Sequence, residues 1–156
     1  LWPAGVGHRY LGSQRVVLCA APAYLEQRGV PLQEHDLAQH CCIVYGLNDG
    51  LVGPWHFPAA QPGHTERRIM PARMAVGDAE GQVSAVLAGY GIAQLPTWLI
   101  KRQLADGSLV QVLPQLATQG LPIHLAWLNS RQAQPKVSTL LTHLGQCLSG
   151  DGFDAG

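Results

Sequence analysis

Apolar residues along this chain occur in short runs that glycine, proline and polar residues separate. Between residues 79 and 90 they recur every three or four positions, which predicts a helix with one apolar stripe. Asp78 can accept a hydrogen bond from a free N–H of the first turn, so it is the expected N-cap. Gly89 and Gly91 can adopt positive φ and end the helix. Residues 92–95 are too few for another helix and predict a short buried strand.

The remaining pattern predicts alternating strands and helices. Its two longest apolar runs, residues 15–21 and 121–128, predict the longest strands, whereas the glycine-rich residues 1–14 predict a loop. Alternation of this kind indicates an α/β fold with a mainly parallel sheet. The two long strands bracket everything between them, which suggests one lobe inserted into another. Further helices are predicted at residues 22–28, 32–40, 97–105 and 135–148, and further strands at 42–45, 55–57, 67–76 and 109–113.

Composition narrows the classes of partner. Hydrophobic residues make up 47% of the chain and charged residues 13%, whereas about 25% is the usual charged share. A lobe or subunit interface would explain that shortage. The formal net charge is zero, so the chain has no general electrostatic attraction for DNA or an anionic membrane. No apolar run is long enough to span a bilayer, and the first residues lack the features of a signal peptide.

Residues that could carry chemistry are few. His35, His40, Cys41 and Cys42 lie close in sequence, but their spacing fits no familiar zinc pattern, so we expect neither a metal nor a cofactor. The four cysteines are expected to be reduced and mostly buried, as in the cytoplasm. There is no Gly-x-Ser-x-Gly nucleophile elbow and no dinucleotide fingerprint, so no enzyme activity is expected.

The segment that begins at Asp78 also predicts a ligand site. A polar-capped helix start beside a strand end is where small ligands commonly bind in α/β sheets. The alternative from the residues alone is a packing unit that binds nothing, since such units are common in this class of fold.

Five fragments, taken in order, carry a resemblance to a known family. Together they resemble the effector-binding domain of LysR-type transcriptional regulators, over nearly the whole chain. The fragments are residues 15–25 (RVVLCAAPAYL), 36–43 (DLAQHCCI), 55–57 (WHF), 89–96 (GYGIAQLP) and 107–114 (GSLVQVLP).

The resemblance implies a periplasmic-binding-protein-like (type 2) fold, in which two α/β lobes with mainly parallel sheets enclose a cleft. The winged helix-turn-helix and linker helix of the family have no counterpart here, and the first lobe is expected to be incomplete. The implied domains are residues 1–22 (remnant of the first lobe and crossover strand), 23–119 (second lobe), 120–148 (return strand and helix of the first lobe) and 149–156 (disordered tail).

The resemblance also implies a function. The domain would bind an unknown small-molecule effector and thereby modulate DNA binding by a helix-turn-helix domain outside this chain. It would act in the cytoplasm as a homodimer or tetramer, without a membrane partner, and another copy would cover the apolar faces of strand 121–128 and helix 137–148. The alternative is a transport-type solute-binding domain. The ligand-binding residues implied on the second lobe are Ala20, Ala21, Gly77, Asp78, Leu95 and Pro96.

Overall fold

The structure is a computed structural model that describes residues 2–118 and 120–148; the predicted disordered tail, 149–156, lies outside the described residues. The described chain forms two compact units. The smaller unit contains residues 2–15 and 120–148, and the larger unit contains residues 16–118. The strand predicted as the first crossover therefore belongs to the larger unit. None of the helices in these ranges has the length and hydropathy that crossing a bilayer requires.

Regular elements follow one another with short connections throughout both units. The strands are β1 (Val6–Gln14), β2 (Val16–Ala20), β3 (Cys42–Tyr45), β4 (Trp55–Pro58), β5 (Thr65–Arg68), β6 (Met74–Val76), β7 (Ile92–Pro96), β8 (Val110–Gln111) and β9 (Leu121–Leu128). The α-helices are α1 (Pro22–Arg28), α2 (Ala79–Leu87), α3 (Lys101–Asp106) and α4 (Pro135–Leu148), and short 3₁₀ turns lie at Glu34–Gln39, Asn48–Gly50, Pro114–Leu116 and Asn129–Arg131.

The larger unit is built on a five-stranded sheet in the order β6-β3-β7-β2-β8. β3 pairs in parallel with β6 and β7, but β2 runs antiparallel to both of its neighbours, β7 and β8. The sheet is therefore mixed, with two parallel and two antiparallel strand pairings, and the prediction of a mainly parallel sheet was wrong. A continuous apolar run such as Val16–Ala20 indicates burial on both faces and carries no information about strand direction.

Alternate residues of these strands form two cores, one on each face of the sheet. On one face, Leu18 and Val44 pack with Tyr24, Trp55 and Phe57. On the other face, Val17 and Ile43 pack against side chains of α2 and of the segment around α3. Val83 and Val86 come from α2, and Ile100 and Leu109 lie just before and just after α3. Successive side chains of each strand point to opposite faces of the sheet. One face is covered by α1 and the β4–β5 hairpin, and the other face is covered by α2 and α3.

The smaller unit contains a strand where a loop was predicted. β1 pairs antiparallel with β9 along nearly its whole length, with a register shift between Tyr10 and Gly12. Its glycines were misread as loop formers. A Cβ at Gly7 would lie 2.6 Å from the indole of Trp127, so this glycine permits close cross-strand packing. The predicted helix after residue 135 is confirmed as α4.

The segment predicted as one strand over residues 67–76 is two strands. β5 forms a hairpin with β4, and β6 joins the main sheet. Pro71 lies between them and has no N–H to donate to a ladder. The hairpin is fixed to the sheet by Gln94 on β7, whose side-chain oxygen accepts from His56 N at 2.8 Å and whose amide donates to His56 O at 2.8 Å.

The end of α2 explains the two glycines that follow it. Gly89 has φ of 81° and donates its N–H to Val86 O, while Tyr90 N–H reaches Ala85 O, which is a Schellman end. Gly91 does not have positive φ. It is needed for a different reason, because a Cβ there would lie 2.2 Å from Cys41 O.

We predict that Gly91→Ala destabilises the protein by roughly 2 kcal/mol, the usual cost of forcing an extra carbon into a packed region. Gly53→Ala is the matched control, because its Cβ would meet only ordinary contacts, the nearest being Tyr45 Cβ at 3.4 Å. Urea unfolding of both variants measures the difference. Equal stability of the two variants would contradict the proposed close approach of Gly91 to Cys41.

Candidate functional site

Three strand ends lie side by side at one edge of the larger sheet. Tyr45 pairs with Val76, so the residues that follow them, Gly46 and Gly77, are neighbours. The N–H of Gly46 donates to Val76 O at 2.8 Å. Because Cys42 pairs with Ile92 in parallel, the end of β7 reaches the same level as the end of β3. We call this row, formed by Gly46, Gly77, Asp78 and Pro96, the strand-end edge.

Gly77 leaves open space at this edge, whereas the surroundings of Gly46 would leave only ordinary contact distances for a side-chain carbon. A Cβ on Gly77 would come no nearer than 4.0 Å to any atom, with Gly46 O as the nearest. A Cβ on Gly46 would lie at 3.5 Å or more from its neighbours. The missing side chains leave backbone exposed at the carboxyl ends of parallel strands, which is where open α/β sheets usually bind ligands.

Asp78 caps α2 as predicted. Its Oδ1 accepts a hydrogen bond of 2.6 Å from Gly81 N, one of the N–H groups that the first turn leaves without a helical partner. Glycine at residue 81 leaves room for the carboxylate, since a Cβ there would lie 2.7 Å from Asp78 Oδ2 and 2.8 Å from Val76 Cγ1. The charge of Asp78 is thus directed to its own helix and complements the helix dipole.

The other four predicted site residues divide into two groups. Pro96 lies at the strand-end edge, and Leu95 reaches it only through its backbone because its side chain is buried in the core with α2 and α3. Ala20 and Ala21 do not lie there. β2 runs antiparallel to β7 and pairs Val16 with Pro96, so Ala20 is about 13 Å further along the strand. The structure therefore does not bring Ala20 and Ala21, predicted at the crossover, together with the other predicted site residues.

Sequence reasoning missed two positions that the register brings to the edge. Gly46 follows β3 just as Gly77 follows β6, and the same rule would have selected it. Val16 begins β2 beside Pro96. Its position depends on the antiparallel direction of β2, which the apolar run does not reveal.

The histidines and cysteines considered as metal ligands contact Tyr24 and residues of their own segment. Tyr24 Oη lies 3.0 Å from His40 Nδ1 and accepts from Cys41 N at 3.0 Å, while His35 Nε2 lies 3.3 Å from Asp36 Oδ1. Burial lowers the pKa of His40, because the charged imidazolium is poorly solvated there. Among the described residues, no three His, Cys, Asp or Glu side chains are grouped closely enough to hold a metal ion.

A cavity of about 380 Å³ lies beside these residues, lined by Arg28, Asp36 and His40 among others. The carboxylate of Asp36 is already engaged, since its Oδ2 accepts from Leu32 N and from Gln33 N at 2.9 Å each. These hydrogen bonds hold the pKa of Asp36 below its usual range. The polar groups here mainly stabilise the turn at Glu34–Gln39.

Comparison with known proteins decides the family. The LysR substrate binding domain model matches residues 2–148. The chain belongs to the LysR substrate-binding domain family. This LysR domain is regulatory, and it is not an enzyme.

A relative from Escherichia coli agrees with the assignment. The domain is 31% identical over 140 residues to the uncharacterized HTH-type transcriptional regulator YhjC of Escherichia coli, covering 90% of this chain and 46% of the relative. It therefore spans about half the length of that regulator.

Solved structures support the same fold. The regulatory domain of CrgA from Neisseria meningitidis matches with a TM-score of 0.77 and 23% identity, covering 95% of this chain and 71% of the other. The regulatory domain of AphB from Vibrio vulnificus matches with a TM-score of 0.75 and 25% identity, covering 91% and 70%. The α/β, periplasmic-binding-protein-like (type 2) fold class is confirmed.

We predict that Asp78→Ala costs the LysR domain about 1 kcal/mol of unfolding free energy, the usual loss when a helix N-cap is removed. Asp78→Asn keeps a side-chain oxygen for Gly81 N–H and should retain most of that stability. Thermal or urea unfolding compares the two variants. If Asn is as harmful as Ala, the capping hydrogen bond is not the source of the effect.

The thiols should differ sharply in reactivity. Burial raises the pKa of Cys19 to about 12, and burial together with Cys41 raises the pKa of Cys42 to about 11, so at pH 8 almost no thiolate is present on either. Cys147 is exposed. Brief treatment with iodoacetamide followed by peptide mass spectrometry should label Cys147 and spare Cys19 and Cys42 until the protein is denatured. Early labelling of either buried thiol would contradict this packing.

Proposed function

We propose that this domain binds a small-molecule effector at the strand-end edge of its larger unit and transmits binding to a DNA-binding domain outside the chain. The observation that carries the proposal is the row of strand ends at Gly46, Gly77 and Pro96, beside the capped start of α2. The names of its relatives, which include HTH-type transcriptional regulators, support a role in transcription.

The surroundings of the edge suit an organic ligand. Tyr45 ends β3 and is 41% exposed, and Trp98 follows β7 and is 49% exposed. Exposed aromatic side chains near open backbone offer apolar contacts together with hydrogen-bonding groups, the usual composition of a small-molecule site. The carboxylate of Asp78 is committed to Gly81 N–H, so it repels an anionic group less than a free carboxylate would.

Transmission requires a differential affinity. An effector shifts a two-state equilibrium only as far as it binds one arrangement more tightly than the other. In the proposed mechanism the favoured arrangement changes how copies of the regulator associate as a homodimer or tetramer in the cytoplasm, and so how their helix-turn-helix domains meet DNA. The transport-type alternative is not favoured, because the relatives include HTH-type transcriptional regulators.

We predict that a metabolite panel screened by thermal shift contains a ligand that stabilises this domain. At about 100 times its Kd, a specific ligand contributes about 2.7 kcal/mol, which corresponds to a rise of roughly 5–10 °C in Tm. Gly77→Leu fills the open space at the strand-end edge and should abolish the rise while leaving the fold intact.

The matched control is Gln27→Leu, an exposed position on α1, the helix that follows the far end of β2. It should leave the thermal shift unchanged. A ligand whose stabilisation survives Gly77→Leu but is lost in Gln27→Leu would place the effector site elsewhere. A ligand that fails to change operator binding by the full-length regulator would contradict the proposed transmission.

A further inference from the structure

The hydroxyl of Tyr24 makes two hydrogen bonds inside the larger unit. Tyr24 lies on α1 and is only 4% exposed, because its ring packs in the core with Leu37 and Cys42. Its Oη accepts from Cys41 N at 3.0 Å and lies 3.0 Å from His40 Nδ1. We call these two side chains the Tyr24–His40 pair. The packing of the Tyr24 ring in the core limits where the hydroxyl can reach.

The position of one proton decides how the pair is bonded. The Tyr24 oxygen already accepts the Cys41 N–H, and no third partner for this hydroxyl lies among the described residues. The phenol proton therefore has one acceptor, the Nδ1 of His40. An imidazole nitrogen accepts a hydrogen bond only when it carries no proton. His40 is therefore neutral, with its proton on Nε2.

Protonation of His40 is incompatible with this arrangement. A charged imidazole is a donor at both nitrogens, so Nδ1 can no longer accept. Nδ1–H and the N–H of Cys41 then compete for one phenol oxygen, and the phenol proton has no acceptor. A buried donor without an acceptor destabilises the state that contains it. The folded unit thus favours a neutral His40.

Two charged side chains face His40 from neighbouring elements, namely Arg28 at the end of α1 and Asp36 in the turn before it. Burial lowers the pKa of His40, Asp36 opposes that change, and Arg28 adds to it. Two thiols, Cys41 and Cys42, follow His40 along the chain. The pKa of Asp36 is lowered by the hydrogen bonds it accepts, and burial raises the pKa of Cys42 to about 11. Neither Asp36 nor Cys42 therefore changes its charge where histidine titrates.

The peptide that Tyr24 holds connects three elements. Cys41 directly precedes β3, and its N–H is bound to α1 through Tyr24. Its carbonyl accepts from the N–H of Ile92, the first residue of β7, at 2.8 Å. A change at the Tyr24–His40 pair therefore acts where α1, β3 and β7 meet.

We propose that the Tyr24–His40 pair makes this junction sensitive to acid: a proton taken up at Nδ1 of His40 removes the acceptor of the Tyr24 hydroxyl and weakens its bond to Cys41 N–H. The start of β3 then separates from α1 more readily. The pair lies at the opposite end of β3 from the strand-end edge, so this response does not depend on the effector proposed there.

The protonation pattern of His40 is the first test. A long-range ¹H–¹⁵N spectrum of the isotopically labelled chain is recorded at about pH 8, where a neutral histidine is expected. The ring signals of His40, assigned by their loss in His40→Asn, should show a proton on Nε2 and none on Nδ1. The opposite tautomer would overturn the proposal, because Tyr24 could then not donate to Nδ1.

The amide signal of Cys41 reports on the hydrogen bond that Tyr24 Oη accepts. On titration from about pH 8 to about pH 5 it should shift with the same midpoint as the His40 ring. In Tyr24→Phe the ring still titrates, but most of the Cys41 shift should disappear, since the hydroxyl that connects the two groups is gone. An unmoved Cys41 signal in the wild-type chain, or an equal shift in Tyr24→Phe, would contradict the role of the hydroxyl and overturn the proposal.

Stability against pH is the second readout. Because burial lowers the pKa of His40 in the folded state, the unfolded chain takes up the proton first, and stability is lost as the pH falls through 6.5, the usual pKa of histidine. His40→Asn is the matched variant, since its side-chain oxygen can accept from Tyr24 in place of Nδ1 but takes up no proton in this range. Between about pH 8 and about pH 5, the urea midpoint should therefore fall further in the wild-type chain than in His40→Asn.

His64→Asn is the control, because His64 is an exposed histidine of the same unit on the β4–β5 hairpin. Its urea midpoint should fall as far as that of the wild-type chain, which would show that the loss of any one histidine does not remove the pH dependence. Equal falls in the wild-type chain and His40→Asn would overturn the proposal.

Discussion

The larger unit depends on the parallel pairing of β3 with both β6 and β7. Because the three strands run in one direction, their carboxyl ends lie at one edge, and α2 must begin where β6 ends. Ladder hydrogen bonds fix the level of Gly46 against Gly77, and the apolar side chains on both faces hold the strands in that register. The proposed site is a consequence of this arrangement, since it consists of the backbone that the three strands leave at their ends.

Glycine contributes to both units mainly by permitting close approach. Gly81 leaves room for the capping carboxylate of Asp78, Gly91 allows β7 to pass Cys41, and Gly145 admits the head of Arg9. At each of these three positions, a Cβ would lie less than 3.0 Å from a neighbouring atom. In a sequence these residues resemble loop formers, which is why β1 was predicted as a loop although Gly7 packs beneath Trp127.

Local signals predicted the elements whose chemistry is local. The N-cap at Asp78, the strand after Gly91 and the helix that begins at Pro135 were readable because caps, glycines and periodicity act within a few residues. Strand direction and register were not readable, since they depend on contacts between distant residues. For this reason Ala20 was grouped with Pro96. Val16, which pairs with Pro96 where β2 meets β7, was overlooked.

The central claim is that a small effector binds at the strand-end edge, and mapping amide chemical shifts tests it most directly. On titration with a ligand that stabilises the domain, the largest shifts should occur at Gly46, Gly77, Ala79 and Thr97, the backbone positions at or next to the ends of β3, β6 and β7. Shifts confined to the far end of the sheet, around Ala20, Ala21 and His40, with none at Gly46 or Gly77, would contradict the account.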